Sequence, residues 1–325
     1  MIKLLVLEEK TVFERHAPVE LLRSCDITLL SQFTPVEEIL SRSPDAEVLL
    51  ANPTIPVGGA LIRGLPNLKL IQTEGVGFEG VDLKAADQRS VFVCNCRGVN
   101  ARAVAEHAVM LMLCCLRDVI NGHSDVLEGR QNDKKVWYMK TGSLRELGDC
   151  TVGFVGYGAI GKEAARLAKA FGARTLYYKP HPGDEDYAEY CSLDGLLRQS
   201  DIVSLNLPLT AETENMADRD FFSRMKKGAI LINTARGGLV NSADLLDALA
   251  SGHISCAGLD VLDHEPVQPD HILVTAPEEV RRKIIFTPHI GGVSAGAFVR
   301  TYDVILENIR RIQAGERPMN VVNGI

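Results

Sequence analysis

Thr151-Val152-Gly153-Phe154-Val155-Gly156-Tyr157-Gly158-Ala159-Ile160-Gly161 is the stretch whose reading decides the fold. A short, mostly apolar run leads into three glycines at G-x-G-x-x-G spacing, and a helical pattern begins at once. Ala164, Ala165, Leu167, Ala168 and Phe171 put small or apolar groups on one face of that helix, and Gly172 stops it. Strand, glycine turn and helix together make a dinucleotide pyrophosphate site. Gly156 permits the turn, Gly158 lets a phosphate approach the backbone, and Gly161 lets helix and strand pack closely. Ala159 and Ile160 open the helix, whose first N–H groups lack carbonyl partners and face a phosphate with partial positive charge. Glycine triplets also occur in plain loops, so the flanking strand and helix are what make this one specific.

At 325 residues the chain is long enough for two domains with sizeable cores. A hydrophobic content of 46% and a charged content of 24% fit an ordinary globular protein. The formal charge of −7 leaves no basic excess for sequence-independent nucleic-acid binding. The apolar start, residues 2–7, is too short for a signal peptide, and residues 103–116 contain Glu106 and His107 and are too short to span a bilayer. A cytoplasmic protein with no membrane or nucleic-acid partner is expected. Eight cysteines show no C-x-x-C and no zinc-like histidine spacing, so they read as buried thiols of a reducing compartment, with no metal site.

Taken in order, buried strands are expected at 2–7, 26–30, 47–51, 68–73 and 91–95, with amphipathic helical patterns near 19–24, 36–41, 58–65 and 82–88. Such alternation implies a parallel sheet covered on both faces. A long helical pattern over 100–116, apolar over most of its surface, marks the domain junction. Residues 121–149 are polar, carry the lone Trp137, and read as an irregular arm or subunit contact. A second series then supplies six strands, at 152–155, 174–178, 202–207, 229–233, 255–261 and 284–287, the number for a full dinucleotide-binding domain. A helix over 295–313 closes the chain. The fold class is therefore α/β with two doubly wound parallel sheets.

Ligands of such sheets bind at the carboxyl ends of the strands. Asn233-Thr234-Ala235-Arg236-Gly237 follows one strand, Asp260 to Glu265-Pro266 another, and Thr287-Pro288-His289-Ile290-Gly291-Gly292 the last. Arginine forks onto a carboxylate, histidine exchanges a proton near neutral pH, and a neighbouring acid holds the imidazole charged. Each residue alone has an ordinary structural explanation. Three of them on sheet-edge loops beside a pyrophosphate turn point to chemistry.

With these residues in view, the chain resembles the D-isomer-specific 2-hydroxyacid dehydrogenase family almost from end to end. Gly75-Val76-Gly77 with Val81-Asp82 is similar to that family's substrate-carboxylate loop, and Asn100 with Val104-Ala105-Glu106 to the start of its interdomain helix. Leu207-Pro208-Leu209-Thr210 with Thr213, and the three strand-end stretches, resemble its later motifs. The resemblance implies a Rossmann-type nucleotide domain, residues 100–289, inserted into a flavodoxin-like substrate domain of residues 1–99 and 290–325, with the active site in the cleft between. It implies an oxidoreductase that interconverts a small 2-oxoacid and its D-2-hydroxyacid, and a homodimer formed through 101–149. His289 would be the acid/base, Glu265 its orienting partner, and Arg236 the clamp on the substrate oxygens. Val76, Gly77 and Asn100 would hold the carboxylate. Asp260 would contact the nicotinamide carboxamide, Thr234 and Ala235 would line its ring, and Val104, Pro208, Thr213, Arg236, His289 and Gly291 would complete the cofactor contacts.

Formate dehydrogenases, which resemble this fold, carry glutamine in place of Glu265, so the glutamate favours a substrate that exchanges a proton. At the end of the second nucleotide-domain strand, where an acid usually accepts the adenosine ribose hydroxyls, stands Lys179. An ammonium cannot accept those bonds but attracts a 2′-phosphate, so NADP is favoured over NAD, with His181 assisting and Asp184, Glu185 and Asp186 opposing. Acidic Glu74 and Glu79 beside the carboxylate loop disfavour a phosphorylated substrate such as that of phosphoglycerate dehydrogenases. Thr54 and Phe78 are expected to shape side-chain specificity. The non-enzymatic alternative is a dinucleotide-sensing protein of the corepressor type, against which the intact Arg236, Glu265 and His289 weigh.

Overall fold

The computed structural model describes every residue except Thr54 and Asp184, so the expectations placed on those two lie outside the described residues. The chain divides into two units, one made of residues 1–100 and 293–325, the other of residues 101–292. The second is thus inserted into the chain of the first.

In the first unit, β1 (Ile2–Leu7), β2 (Cys25–Leu30), β3 (Val48–Ala51), β4 (Leu70–Thr73) and β5 (Phe92–Cys94) form an all-parallel sheet. Its order, β2-β1-β3-β4-β5, is the flavodoxin-like one. Strand alternation sends Leu5, Leu7, Leu49, Ile71 and Val93 to one face, against the helices Val36–Arg42, Gly59–Gly64 and Leu83–Gln88. Leu4, Val6, Leu50 and Leu70 go to the other, where Tyr302, Ile305 and Ile309 of the last helix, Ala295–Ala314, cover them. Lys10–His16 is a further helix, outside the expected set.

In the second unit, β6 (Thr151–Val155), β7 (Arg174–Tyr178), β8 (Glu189–Tyr190), β9 (Ile202–Leu205), β10 (Ala229–Asn233), β11 (Ile254–Leu259) and β12 (Ile284–Phe286) are again all parallel. They run in the order β12-β11-β10-β9-β6-β7-β8, and the order reverses beside β6, which carries the glycine turn. Seven strands replace the expected six because the two-residue β8 adds an edge. The long helix Ala101–Arg117 and the helix Ala159–Ala170 cover Val152, Phe154, Tyr177, Ile230 and Ile232. The helices Leu193–Gln199, Arg219–Arg224 and Ser242–Ala250 cover Val155, Val203, Leu205, Leu231 and Leu259.

Residues 121–149 correct the expected irregular arm. Val119–Leu127 and Gln131–Thr141 are helices, the second with no buried side chain, and a 3-10 turn at Leu147–Asp149 leads into β6. A helix that buries nothing has no apolar stripe to betray it. Among the described residues no helix is long and apolar enough to cross a membrane, and all eight cysteines are unpaired.

Glu74, directly after β4, is an acid buried away from water. Both carboxyl oxygens are buried, with no hydrogen-bond partner within standard geometry among the described residues. Burial above all pushes its acid up to about 8, Tyr302 opposes, and the charge of the nearby Glu8 adds to the rise. The folded chain therefore keeps a proton that the unfolded chain releases near 4.5. Glu74's share of stability is fully present below that value and is lost as pH rises to about 8. Thermal melts from pH 5 to 9 should show Glu74→Gln flattening that fall and melting above the parent at pH 8.

Candidate functional site

Every strand of the second unit is parallel, so the loops after β6, β9, β10, β11 and β12 open on one edge of the sheet. The glycine turn follows β6. Gly156 has φ +93°, and a Cβ there would lie 2.5 Å from the Asn206 carbonyl oxygen. A Cβ on Gly161 would lie 2.5 Å from the Gly156 oxygen, which fixes how closely helix and strand can pack. Gly158 is different, with nothing within 4 Å of an added Cβ. It caps the helix Ala159–Ala170 without any side-chain hydrogen bond, so the helix N–H groups meet open space at the turn. Room for a phosphate and unclaimed donors coincide there, as a dinucleotide requires.

The loop after β10 is pinned by buried Asn233. Its Oδ1 accepts from the Ala235 N–H at 3.1 Å, and its Nδ2 donates to the Arg236 carbonyl at 2.9 Å. Next to it, a Cβ on Gly237 would fall 1.8 Å from the Leu262 oxygen, so only glycine allows this loop against the one after β11. Thr234 leaves a buried hydroxyl with no partner among the described residues. In the loop after β9, the Thr213 hydroxyl donates to the Pro208 carbonyl at 2.8 Å and accepts from the Thr210 N–H at 2.8 Å, closing that turn on itself.

Asp260, 3% exposed, ends β11. Its Oδ1 accepts from the Thr287 hydroxyl at 2.5 Å and the Ile290 N–H at 3.0 Å, and its Oδ2 from the Gly291 N–H at 2.8 Å. The His107 Nε2, from the helix Ala101–Arg117, lies 3.3 Å from the same carboxylate and 2.9 Å from the Thr287 hydroxyl. Burial alone would raise this acid, but His107, Thr287 and the two N–H groups outweigh it and hold it below the usual carboxylate value. A Cβ on Gly291 would lie 2.8 Å from Oδ2. Asp260 thus ties the loop after β12 to the end of β11.

That loop carries His289, held in the left-handed region at φ +54°, its N–H donating to the Asp260 carbonyl at 2.9 Å. The half-exposed imidazole places Nδ1 2.5 Å from Glu265 Oε2, while Glu265 Oε1 accepts from the Leu262 N–H at 3.1 Å. The hydrogen bond that the imidazole donates to Glu265 raises it above its ordinary 6.5, burial opposes, and the charges of Glu265 and Asp260 add to the rise. The Arg236 guanidinium is near enough for its charge to act on the ring in the opposite sense. Arg236, Glu265, His289 and Asp260 therefore come together on one edge. A second pair, His271 Nε2 to Asp263 at 2.6 Å, has the same form. Its imidazole is buried and its Nδ1 already accepts from the Leu273 N–H, so it serves packing.

Val76, Gly77 and Asn100 belong to the first unit. The Asn95 Nδ2 donates to the Val76 carbonyl at 2.7 Å, fixing the loop after β4, and Asn100 keeps a buried Oδ1 with no partner among the described residues. Val104 is buried on the helix Ala101–Arg117, and Lys179, just past β7, is ion-paired with Glu185. Sequence reasoning missed His107 and Asn95, and it named Glu185 only as one of three opposing acids, not as the direct partner of Lys179. A lone histidine on an apolar helix was the one visible signal.

The description "D-isomer specific 2-hydroxyacid dehydrogenase, NAD binding domain" belongs to a family model that matches residues 109–291. A glycerate dehydrogenase of Methylorubrum extorquens is 37% identical over 292 residues, covering 90% of each chain. A hydroxypyruvate reductase of Thermotoga maritima is 33% identical over 303 residues, covering 91% of this chain and 94% of its own. The NAD-complexed crystal structure of a D-isomer-specific 2-hydroxyacid dehydrogenase from Lactobacillus delbrueckii ssp. bulgaricus superposes with a TM-score of 0.83. Its sequence is 25% identical, and 99% of this chain and 100% of that one are covered.

Glu265 is the largest source of the raised His289 titration. Glu265→Gln should lower the imidazole midpoint followed by NMR, whereas an unmoved midpoint would mean that the pair is not formed in solution.

Proposed function

This chain belongs to the D-isomer-specific 2-hydroxyacid dehydrogenase family, and on that footing we propose that it reduces a small, unphosphorylated 2-oxoacid with His289 as the acid. As a family member it is an NAD(P)-binding oxidoreductase. The observation that carries the finer reading is the 2.5 Å contact between His289 and Glu265, with the charge of Arg236 reaching the same ring.

The glycine turn and the open helix N-terminus at Gly158 fit a dinucleotide, with Gly156, Gly158, Ala159, Ile160 and Gly161 holding its pyrophosphate. When bound, the nicotinamide supplies the hydride. The protein's part is the proton and the positioning. Because Nδ1 faces Glu265, Nε2 is the nitrogen left to exchange a proton with the substrate oxygen. Glu265 fixes the ring and favours its charged form. Arg236 orients the carboxylate and stabilises negative charge as the carbonyl becomes an alkoxide. Val76, Gly77 and Asn100 are assigned to the substrate carboxylate, to which backbone N–H groups and the Asn100 Nδ2 would donate. Asp260 holds the loop that carries His289 and Gly291, and Thr234 and Ala235 are assigned to the nicotinamide side.

Hydroxypyruvate and glyoxylate are the substrates favoured, since relatives named for the two reductases are 33% and 35% identical. Residues 74–80 contain two acids and no basic side chain, which speaks against a phosphate on the substrate. Lys179, standing where an acid would take the ribose hydroxyls, supports NADP(H) over NAD(H). A homodimer is also proposed. Val119, Ile120, Val126, Leu127, Trp137 and Met139 expose apolar surface on the helices Val119–Leu127 and Gln131–Thr141, and Leu127 is 76% exposed.

His289→Ala should lower kcat for hydroxypyruvate or glyoxylate by roughly 10³-fold, within the span of general acid catalysis, and leave cofactor affinity within about 3-fold. A variant that keeps most of its kcat would refute the assignment. The ratio of kcat/KM for NADPH to that for NADH should exceed one. In light scattering, Leu127→Asp with Met139→Asp should convert a dimer to a monomer.

A further inference from the structure

The segment after β7 does not simply turn back toward β8. Three hydroxyls hold it against the sheet. Tyr157 donates to the Asp186 carbonyl at 2.6 Å, Tyr177 donates to the Gly183 carbonyl at 2.7 Å, and Thr175 donates to the Tyr187 carbonyl. The Tyr157 and Tyr177 rings stack with centroids 4.3 Å apart, so glycine turn, strand and loop form one packed body.

The product of that folding is the position of one carboxylate. Glu185 Oε1 pairs with the Lys179 ammonium, and Oε2 lies 3.4 Å from the ammonium of Lys162, in the first turn of the helix Ala159–Ala170. Asp186 lies 3.5 Å from Lys162 and its side chain is 74% exposed, against 17% for Glu185. Two lysines therefore share one well-shielded acid beside the glycine turn. Lys179 holds Glu185 below the usual glutamate value, burial opposes, and Lys162 contributes in the same sense as Lys179, so the carboxylate is charged at neutral pH.

We propose that Glu185 is the residue that sets the choice between NAD and NADP, by occupying the two ammonium groups, Lys162 and Lys179, that a 2′-phosphate would need. The inference rests on the dinucleotide reading above and deepens it. A ribose with free hydroxyls finds in Glu185 an acceptor of the kind the strand-end acid normally provides. A 2′-phosphate brings a second anion toward Glu185 and must take both lysines from it. The lysines make NADP possible, and the glutamate limits how strongly it is preferred.

Calorimetry with 2′,5′-ADP and 5′-AMP tests this without turnover, on the parent, Glu185→Gln, Lys179→Met and Lys162→Met, with thermal melts to confirm folding. Glu185→Gln keeps the size and most hydrogen bonds of the side chain while removing its charge. It should tighten 2′,5′-ADP about 10-fold and leave 5′-AMP within about 3-fold, consistent with loss of one close like-charge contact. Each lysine variant should weaken 2′,5′-ADP by a similar factor and spare 5′-AMP. An unchanged ratio of the two affinities in a folded Glu185→Gln protein would overturn the proposal while leaving the dinucleotide reading intact. If the parent binds neither these fragments nor NADH or NADPH, the dinucleotide reading itself fails and the proposal falls with it.

Discussion

A buried carboxylate survives in a folded protein only when donors replace the water it has lost, and Asp260 is held by four of them. Two are backbone N–H groups of the loop after β12, one is a hydroxyl at the start of that loop, and one is a histidine from the covering helix. Each donor left unmatched in this interior would cost about 1–3 kcal/mol, so loop, strand end and helix are fixed together or not at all. The left-handed backbone at His289 is maintained by this arrangement, since its N–H reaches the Asp260 carbonyl. The imidazole meets Glu265 because the peptide beneath it cannot relax.

The two units treat acids shielded from water in opposite ways. In the second, Asp260 and Glu185 sit among donors and cations and are charged. In the first, Glu74 has no cation among its perturbing neighbours, faces another acid in Glu8, and holds its proton to about pH 8. The difference is one of supply. Loop N–H groups and lysines converge on the first pair, whereas the pocket of Glu74 offers a tyrosine and a like charge.

Most of the architecture was legible because parallel strands covered on both faces read as unbroken apolar runs such as Leu4-Leu5-Val6-Leu7 and Ala229-Ile230-Leu231-Ile232. The glycine turn was legible because Gly156 and Gly161 answer local steric demands. Arg236, Glu265 and His289 could be brought to one edge from strand order alone. Other features had no local signature. The helix Gln131–Thr141 buries no side chain and so has no period to read. His107 is a lone histidine on a mostly apolar helix, and its partner Thr287 is 180 residues away. The pairing of Glu185 with two lysines depends on tyrosine hydroxyls gripping carbonyls of a loop, a contact that residue types do not announce.

The division of the chain at residues 100 and 293 has a bearing on biosynthesis. When the ribosome has finished β5, the five-stranded sheet has its near helices, yet Leu4, Val6, Leu50 and Leu70 still await Tyr302, Ile305 and Ile309. Residues 101–292 must be translated first, which takes about 10–40 s at ~5–20 residues per second. Throughout that interval the nascent N-terminal layer presents one greasy side to solvent, and the inserted unit can complete its own core beforehand. The last helix is the closing piece, and a ribosome stalled before Ala295 would release a sheet with half its cover missing.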